Sequence, residues 1–269
     1  MLRQRVVTAL ALGAFIIVVL FLLPAWAAVA VITAAILAGA WEWSAFIGSG
    51  GRVSTIARLA FVAVVIALIA ALALPAAPPL PGRSVLAIAI AWWVVALGWI
   101  TLAPAVAPRP TGAIAGFLTL VPAWYALVHL RTDVAAGAQW VLFLLILVTA
   151  TDSGAYFTGR RFGRVKLAPR VSPGKTWEGV IGGFVAGCVA AIAGAAWFGL
   201  PPGPFVMLAA TVIVFSIVGD LLESQMKRSA GVKDSGTLFP GHGGMLDRID
   251  SLTAAAPVLL AGLNVLGLA

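Results

Sequence analysis

Residues 219–251 read GDLLESQMKRSAGVKDSGTLFPGHGGMLDRIDS and lie between two apolar runs. The stretch holds five of the chain's nine acids: Asp220, Glu223, Asp234, Asp247 and Asp250. It also holds Lys227, Arg228, Lys233, Arg248 and His242, one of only two histidines. Crossing a bilayer requires none of this polarity. The segment therefore reads as the working part of the molecule, and the apolar remainder as the scaffold that holds it at a membrane surface.

That remainder sets the fold class. Of 269 residues, 62% are hydrophobic and 10% are charged, whereas a soluble domain averages roughly 45–50% apolar and 25% charged. The composition is that of an all-α, polytopic integral membrane protein. The single cysteine, Cys188, excludes an internal disulfide and reads as a small packing residue inside an apolar run. A net charge of +8 suggests nucleic acid until the bases are placed. They fall in loops between spans, where Lys and Arg set orientation, so nucleic acid is not an expected partner.

A span needs about 20 mostly apolar residues. Nine stretches qualify: 5–23, 25–47, 56–74, 85–103, 112–130, 137–158, 177–199, 203–223 and 251–268. The first follows Arg3 and Arg5 and precedes Ala25, Trp26 and Ala27, which resemble a signal-peptide cleavage site. It is longer than a usual signal core and another span follows at once, so a retained helix is expected. With a cytoplasmic N-terminus, 15 of the 17 bases face the cytoplasm and only Arg83 and Arg131 face outside. The positive-inside rule selects that orientation, with the C-terminus outside. The chain is expected to form one membrane domain, 1–269, in which 1–136 supports and 137–269 carries the active site.

The long polar segments 159–176 and 224–250 then both face the cytoplasm, while outer connections are short and rich in Pro and Gly. No internal repeat is evident, which weighs against a transporter built from inverted halves. Most of the ten tryptophans sit near span ends as interfacial anchors. Gly179, Gly183 and Gly187 recur at i, i+4 and i+8, which strips one helix face to backbone for close packing.

The chemistry gathers in the second half. On a helix, Asp220, Glu223, Ser224 and Lys227 share one face at the inner end of the eighth span. Asp247, Asp250 and Ser251 share another that opens the ninth. Carboxylates suit Mg²⁺, which usually takes one or two of them plus substrate phosphates. Lys and Arg suit phosphate oxygens, and the glycine-rich run Pro240 to Gly244 brings backbone N–H groups near an anion. The combination points to a site for a metal-bound polyphosphate; the rival reading is a solvated loop of surface ion pairs.

The segment after the sixth span has the same character. Asp152 lies within that span, where an acid usually faces a partner, a cavity or an ion. Gly174, Lys175 and Thr176 look like the tail of a P-loop, but Pro169 stands where its first glycine belongs and no strand precedes it. The run from Ser172 to Lys175 therefore reads as phosphate-binding without being a Walker motif. His242 reads as a metal or phosphate contact, His129 as structural, and Glu42, between Trp41 and Trp43, as a supporting residue.

Residues 224–250, SQMKRSAGVKDSGTLFPGHGGMLDRID, closely resemble the signature of the phosphatidate cytidylyltransferases, the CDP-diacylglycerol synthases. Residues 151–156, TDSGAY, and 172–179, SPGKTWEG, are also similar to that family, so the resemblance covers about residues 140–255. In the first half it rests on hydropathy and on Trp41, Glu42 and Trp43. The resemblance implies transfer of CMP from CTP to phosphatidate, giving CDP-diacylglycerol and pyrophosphate for phospholipid synthesis. It further implies Mg²⁺, with one or two ions, an all-helical fold, a homodimer and a multi-pass place in the inner membrane. By match to the motif, Asp220, Asp247 and Asp250 are expected at the metal. Lys227 and His242 join them as catalytic residues. Expected substrate contacts are Asp152, Ser172, Lys175, Ser224, Arg228, Lys233, Asp234, Gly243, Gly244 and Arg248. The alternatives are another lipid- or prenol-phosphate transferase, and an ion or anion transporter.

Overall fold

The computed structural model describes residues 11–48, 53–74, 80–104, 109–238 and 243–269. His242 and the basic residues Arg3, Arg5 and Arg52 lie outside them. Nine helices among the described residues follow the nine apolar stretches: α1 (Ala11–Leu22), α2 (Ala25–Trp43), α3 (Thr55–Ala73), α4 (Gly82–Leu102), α5 (Arg109–Thr132), α6 (Gly137–Phe162), α7 (Trp177–Phe198), α8 (Pro202–Ala230) and α9 (Leu246–Val265). Seven of them, α2 to α8, are long and apolar enough to cross a bilayer. The protein is an all-α integral membrane protein by architecture. α1 packs onto the bundle, with Val19 and Leu20 buried in its core.

Hydropathy locates the apolar part of a helix, not its end. α6 runs on to Phe162, α8 to Ala230, and α9 starts at Leu246 rather than 251. The added turns are built from residues such as Ser224, Gln225, Met226 and Lys227, which extend the hydrogen-bond ladder beyond the apolar run. Gly231 stops α8 in a left-handed conformation (φ 73°), its N–H bonding to the last carbonyls. The chain can then turn back toward α9.

α9 is the hub. Every residue from Ser251 to Leu260 is buried, and the helix packs against α8, α5, α4, α6 and α2. Its charged first turn therefore projects from the most enclosed helix of the bundle. α6 and α7 form the other tight pair. A Cβ on Gly183 would lie 2.7 Å from the Thr151 carbonyl oxygen, so only glycine allows the two backbones to approach this closely.

One element departs from an all-helical reading. Between α6 and α7 the chain forms an antiparallel hairpin, β1 (Lys166–Ala168) with β2 (Ser172–Thr176), pairing Lys166 with Thr176 and Ala168 with Ser172. Strands this short carry no hydropathy signal. Val171 buries the hairpin tip among residues that include Leu222 and Met226. At the base, the Thr176 hydroxyl accepts the Gly179 N–H at 3.2 Å and caps α7. The Glu178 carboxylate accepts the Val165 N–H. These ties hold β2 against the start of α7 and the end of α8.

Candidate active site

A cavity of about 580 Å³ opens where α6, β2, α7, α8 and α9 meet. α6 contributes Asp152, Tyr156 and Arg160; β2 contributes Ser172 and Lys175; α8 contributes Asp220; α9 contributes Asp247 and Asp250. Six of the expected site residues, separated by almost 100 positions in sequence, thus share one wall. Asp152, Tyr156 and Arg160 stand at i, i+4 and i+8 on α6 and are exposed, so they mark the cavity's lateral mouth.

Three ion pairs, made by two lysines, frame it. Lys175 Nζ lies 2.7 Å from Asp220 Oδ2 and fastens the hairpin to α8. Asp220 Oδ1 accepts a long bond from the Ser224 hydroxyl at 3.4 Å. Lys227 Nζ sits 2.5 Å from Glu223 Oε2 and 2.7 Å from Asp247 Oδ1, which ties α8 to α9. Asp250 accepts the N–H of Ser251 at 2.7 Å.

Asp247 is the most heavily hydrogen-bonded of these carboxylates. Its Oδ2 accepts the N–H of Gly244 at 2.8 Å, the N–H of Ser235 at 3.1 Å and approaches the Ser235 hydroxyl at 2.8 Å. The anion held by the described end of the glycine loop is thus the protein's own Asp247. Gly243 has φ 81°, and a Cβ there would press on Asp247 Oδ2. Both glycines lie against Asp247.

Several expected contacts stand elsewhere. Lys233 and Asp234 are exposed on the segment after α8 and do not line the cavity. Arg228 and Arg248 are exposed, on the last turn of α8 and the first turn of α9. Helical spacing explains Arg228, which lies one position past Lys227 and so turns off the face that carries Asp220 and Glu223. Lys227 is clamped between two carboxylates and is not part of the cavity wall.

Two further residues join the site: Arg160, and Glu42, which the sequence offered as a supporting residue. Arg160 donates to the Tyr156 hydroxyl at 3.2 Å at the cavity mouth. Glu42 reaches in from α2: it is buried and accepts the N–H groups of Met245 at 2.9 Å and Leu246 at 2.7 Å. Its signal in the sequence is an acid at a span end between two tryptophans. Nothing there shows that its partners lie 200 positions away.

No three His, Cys, Asp or Glu side chains among the described residues are grouped to hold a metal ion together. Asp220, Asp247 and Asp250 share the cavity wall, but Lys175 engages the first and Lys227 the second. The donor set still fits a divalent cation bound through fewer protein ligands. Four aspartates and two bases, Arg160 and Lys175, line the cavity. All its acidic donors are hard carboxylate oxygens, the kind Mg²⁺ takes one or two of.

Residues 3–266 match the cytidylyltransferase family. The chain belongs to that family. It is 42% identical to a phosphatidate cytidylyltransferase of Pseudomonas aeruginosa over 275 residues, covering 97% of this chain and 96% of that protein. It is 39% identical to a phosphatidate cytidylyltransferase of Haemophilus influenzae over 291 residues, covering 96% of each. Membership in the cytidylyltransferase family makes this chain a nucleotidyltransferase. The family match spans both halves of the molecule, including the α2 region that supplies Glu42.

Proposed function

We propose that this protein transfers CMP from CTP to phosphatidate, with Mg²⁺, and releases CDP-diacylglycerol and pyrophosphate. The observation that carries the reading is the cavity: carboxylates face two phosphate-seeking bases at the end of a membrane bundle, beside an open flank of α6. The relatives named for the same reaction support it. In the finer reading, nine helices cross the inner membrane with the N-terminus cytoplasmic and the C-terminus outside. The cavity then faces the cytosol, and the protein works as a homodimer.

The reaction needs no strong general base. A phosphate monoester has a second pKa of about 6, so the lipid phosphate is largely ionised at neutral pH. One of its oxygens attacks the α-phosphorus of CTP. A new P–O bond forms as the bond to the β-phosphate's bridging oxygen breaks, and pyrophosphate leaves with the electron pair. The barrier lies in bringing two anions together and in charge on the leaving group. Lys175 and Ser172 hold phosphate oxygens from β2, and Arg160 meets the lipid phosphate at the mouth. Asp220, Asp247 and Asp250, which share the cavity, are the residues that would hold the metal ion. Mg²⁺, when bound, supplies charge neutralisation and orientation for the triphosphate.

Incubating purified protein with phosphatidate, Mg²⁺ and α-labelled CTP tests this. The expected result is label in the lipid extract, its loss on chelation with EDTA and its return with excess Mg²⁺. Label transferred only to another lipid phosphate would replace the acceptor. No transfer to any lipid phosphate by folded protein would end the reading.

Arg160 gives a finer check. A hydrogen bond to a charged group contributes about 1.5–3 kcal/mol, or about 10–100-fold at about 1.4 kcal/mol per tenfold. Arg160→Ala is expected to raise the KM for phosphatidate by at least about tenfold while the KM for CTP stays within about twofold. Steady-state kinetics in mixed micelles, varying one substrate at a time, reads the split. Equal changes in both constants would remove Arg160 from the lipid side.

A further inference from the structure

We infer that Glu42, on α2, is a positioning residue for Asp247 and acts through Ser235. The inference rests on the proposed role of the cavity as the active site, and it adds a part that comes from the first half of the chain.

Four observations converge. Glu42 is only 6% exposed, and no Lys or Arg is among its hydrogen-bonding or ion-pair partners in the described residues. Its carboxylate is satisfied instead at the start of α9, by the N–H groups of Met245 and Leu246. The helix has no side-chain cap of its own there, so Glu42 supplies one from another helix, where the positive end of the helix dipole favours an anion.

The third observation is a shared hydroxyl. Ser235 Oγ lies 2.9 Å from Glu42 Oε2 and 2.8 Å from Asp247 Oδ2. A serine hydroxyl carries one hydrogen and two lone pairs. One hydrogen therefore faces two carboxylate oxygens, and whichever it serves, the same atom couples Glu42 to Asp247. The Asp247 N–H also reaches Ser235 Oγ at 3.3 Å and closes the loop between them.

The fourth is the backbone around the carboxylate. A Cβ on Gly236 or on Gly244 would collide with the Glu42 carboxylate. Both glycines, one on each side of the polar loop, thus let the backbone close on this side chain. Gly244 also donates to Asp247. Glu42 is the post against which Ser235 and Gly236 on one side and Gly244, Met245 and Leu246 on the other are packed, and Ser235 and Gly244 in turn hold the rotamer of Asp247.

A double-mutant cycle tests the coupling. Glu42→Gln, Ser235→Ala and the double variant are compared with the parent for kcat, KM for CTP and thermal midpoint in detergent. Each single change is expected to lower kcat per folded protein at least about tenfold, with KM for CTP within about threefold. The double variant is expected to be no slower than the slower single one. Unchanged kcat with a lowered midpoint would make Glu42 merely structural and overturn the inference. Losses that multiply in the double variant would also overturn it, because the two residues would then act independently. Ser235→Ala keeps both backbone bonds of Glu42, so it carries the test even if Glu42→Gln does not fold; parent-like kcat in it sinks the inference. Parent protein that transfers no label would instead be a failure of the proposed function.

Discussion

Asp247→Asn loses transfer activity by on the order of 10²–10³-fold, the loss typical of removing one preorganised charge-stabilising group, while the protein still folds. The reason lies in the two ends of the carboxylate. Oδ1 receives Lys227, and Oδ2 receives Gly244 N–H and Ser235 N–H. An asparagine has one oxygen and one NH₂. Whichever way it is turned, a donor faces donors on one side. The charge that balances Lys227 at the cavity edge is lost as well. Removing one partner of a buried pair costs about 3–5 kcal/mol. Here Lys227 and Asp247 side chains remain 13% and 12% exposed and Lys227 keeps Glu223, so the stability loss falls below that range. Initial rates of label transfer into lipid, normalised to folded protein, check the prediction. A rate within tenfold of the parent would take Asp247 out of the centre of the reaction.

Asp247 is legible in the sequence because an acidic face opening an apolar run has few structural uses. Its surroundings are not. The hydrophobic stretches announce the helices, since the bilayer sets their length and composition, and the pattern Asp220, Glu223, Ser224, Lys227 announces the face of α8. The hairpin escapes because eight strand residues have no period long enough to see, and because its ties, Val171 in the core and Lys175 on Asp220, reach residues about 50 positions away. Lys233 and Asp234 belong to the quoted signature and yet stand in the open, while Ser235, the next residue, holds the network together. A polar segment shows which residue types are present. Which of them turn inward depends on where α2 sits, and Glu42 with its two glycine contacts becomes visible only in three dimensions.

The close approach of α6 and α7 yields the other large effect. Gly183→Leu is expected to prevent recovery of monodisperse protein, and Gly183→Ala to lower stability by about 1–3 kcal/mol, the usual cost of overpacking. Even the single methyl of alanine would sit 2.7 Å from the Thr151 carbonyl oxygen and 3.1 Å from the Ala155 Cβ. The first of these is backbone and cannot rotate away, so α7 must shift off α6. That shift reaches the chemistry, because Asp152 rides on α6 and Lys175 on the strand that runs directly into α7. Gly98 on α4 is the matched control. It is also a mid-helix glycine, but nothing lies within 4 Å of its added Cβ. There alanine contributes its higher helix propensity, up to about 1 kcal/mol, with no clash. Thermal midpoints in detergent should fall for Gly183→Ala and hold or rise for Gly98→Ala. Equal behaviour of the two variants would mean that α6 and α7 are not held in register by backbone contact, and the link from that packing to the spacing of Asp152 and Lys175 would fall with it.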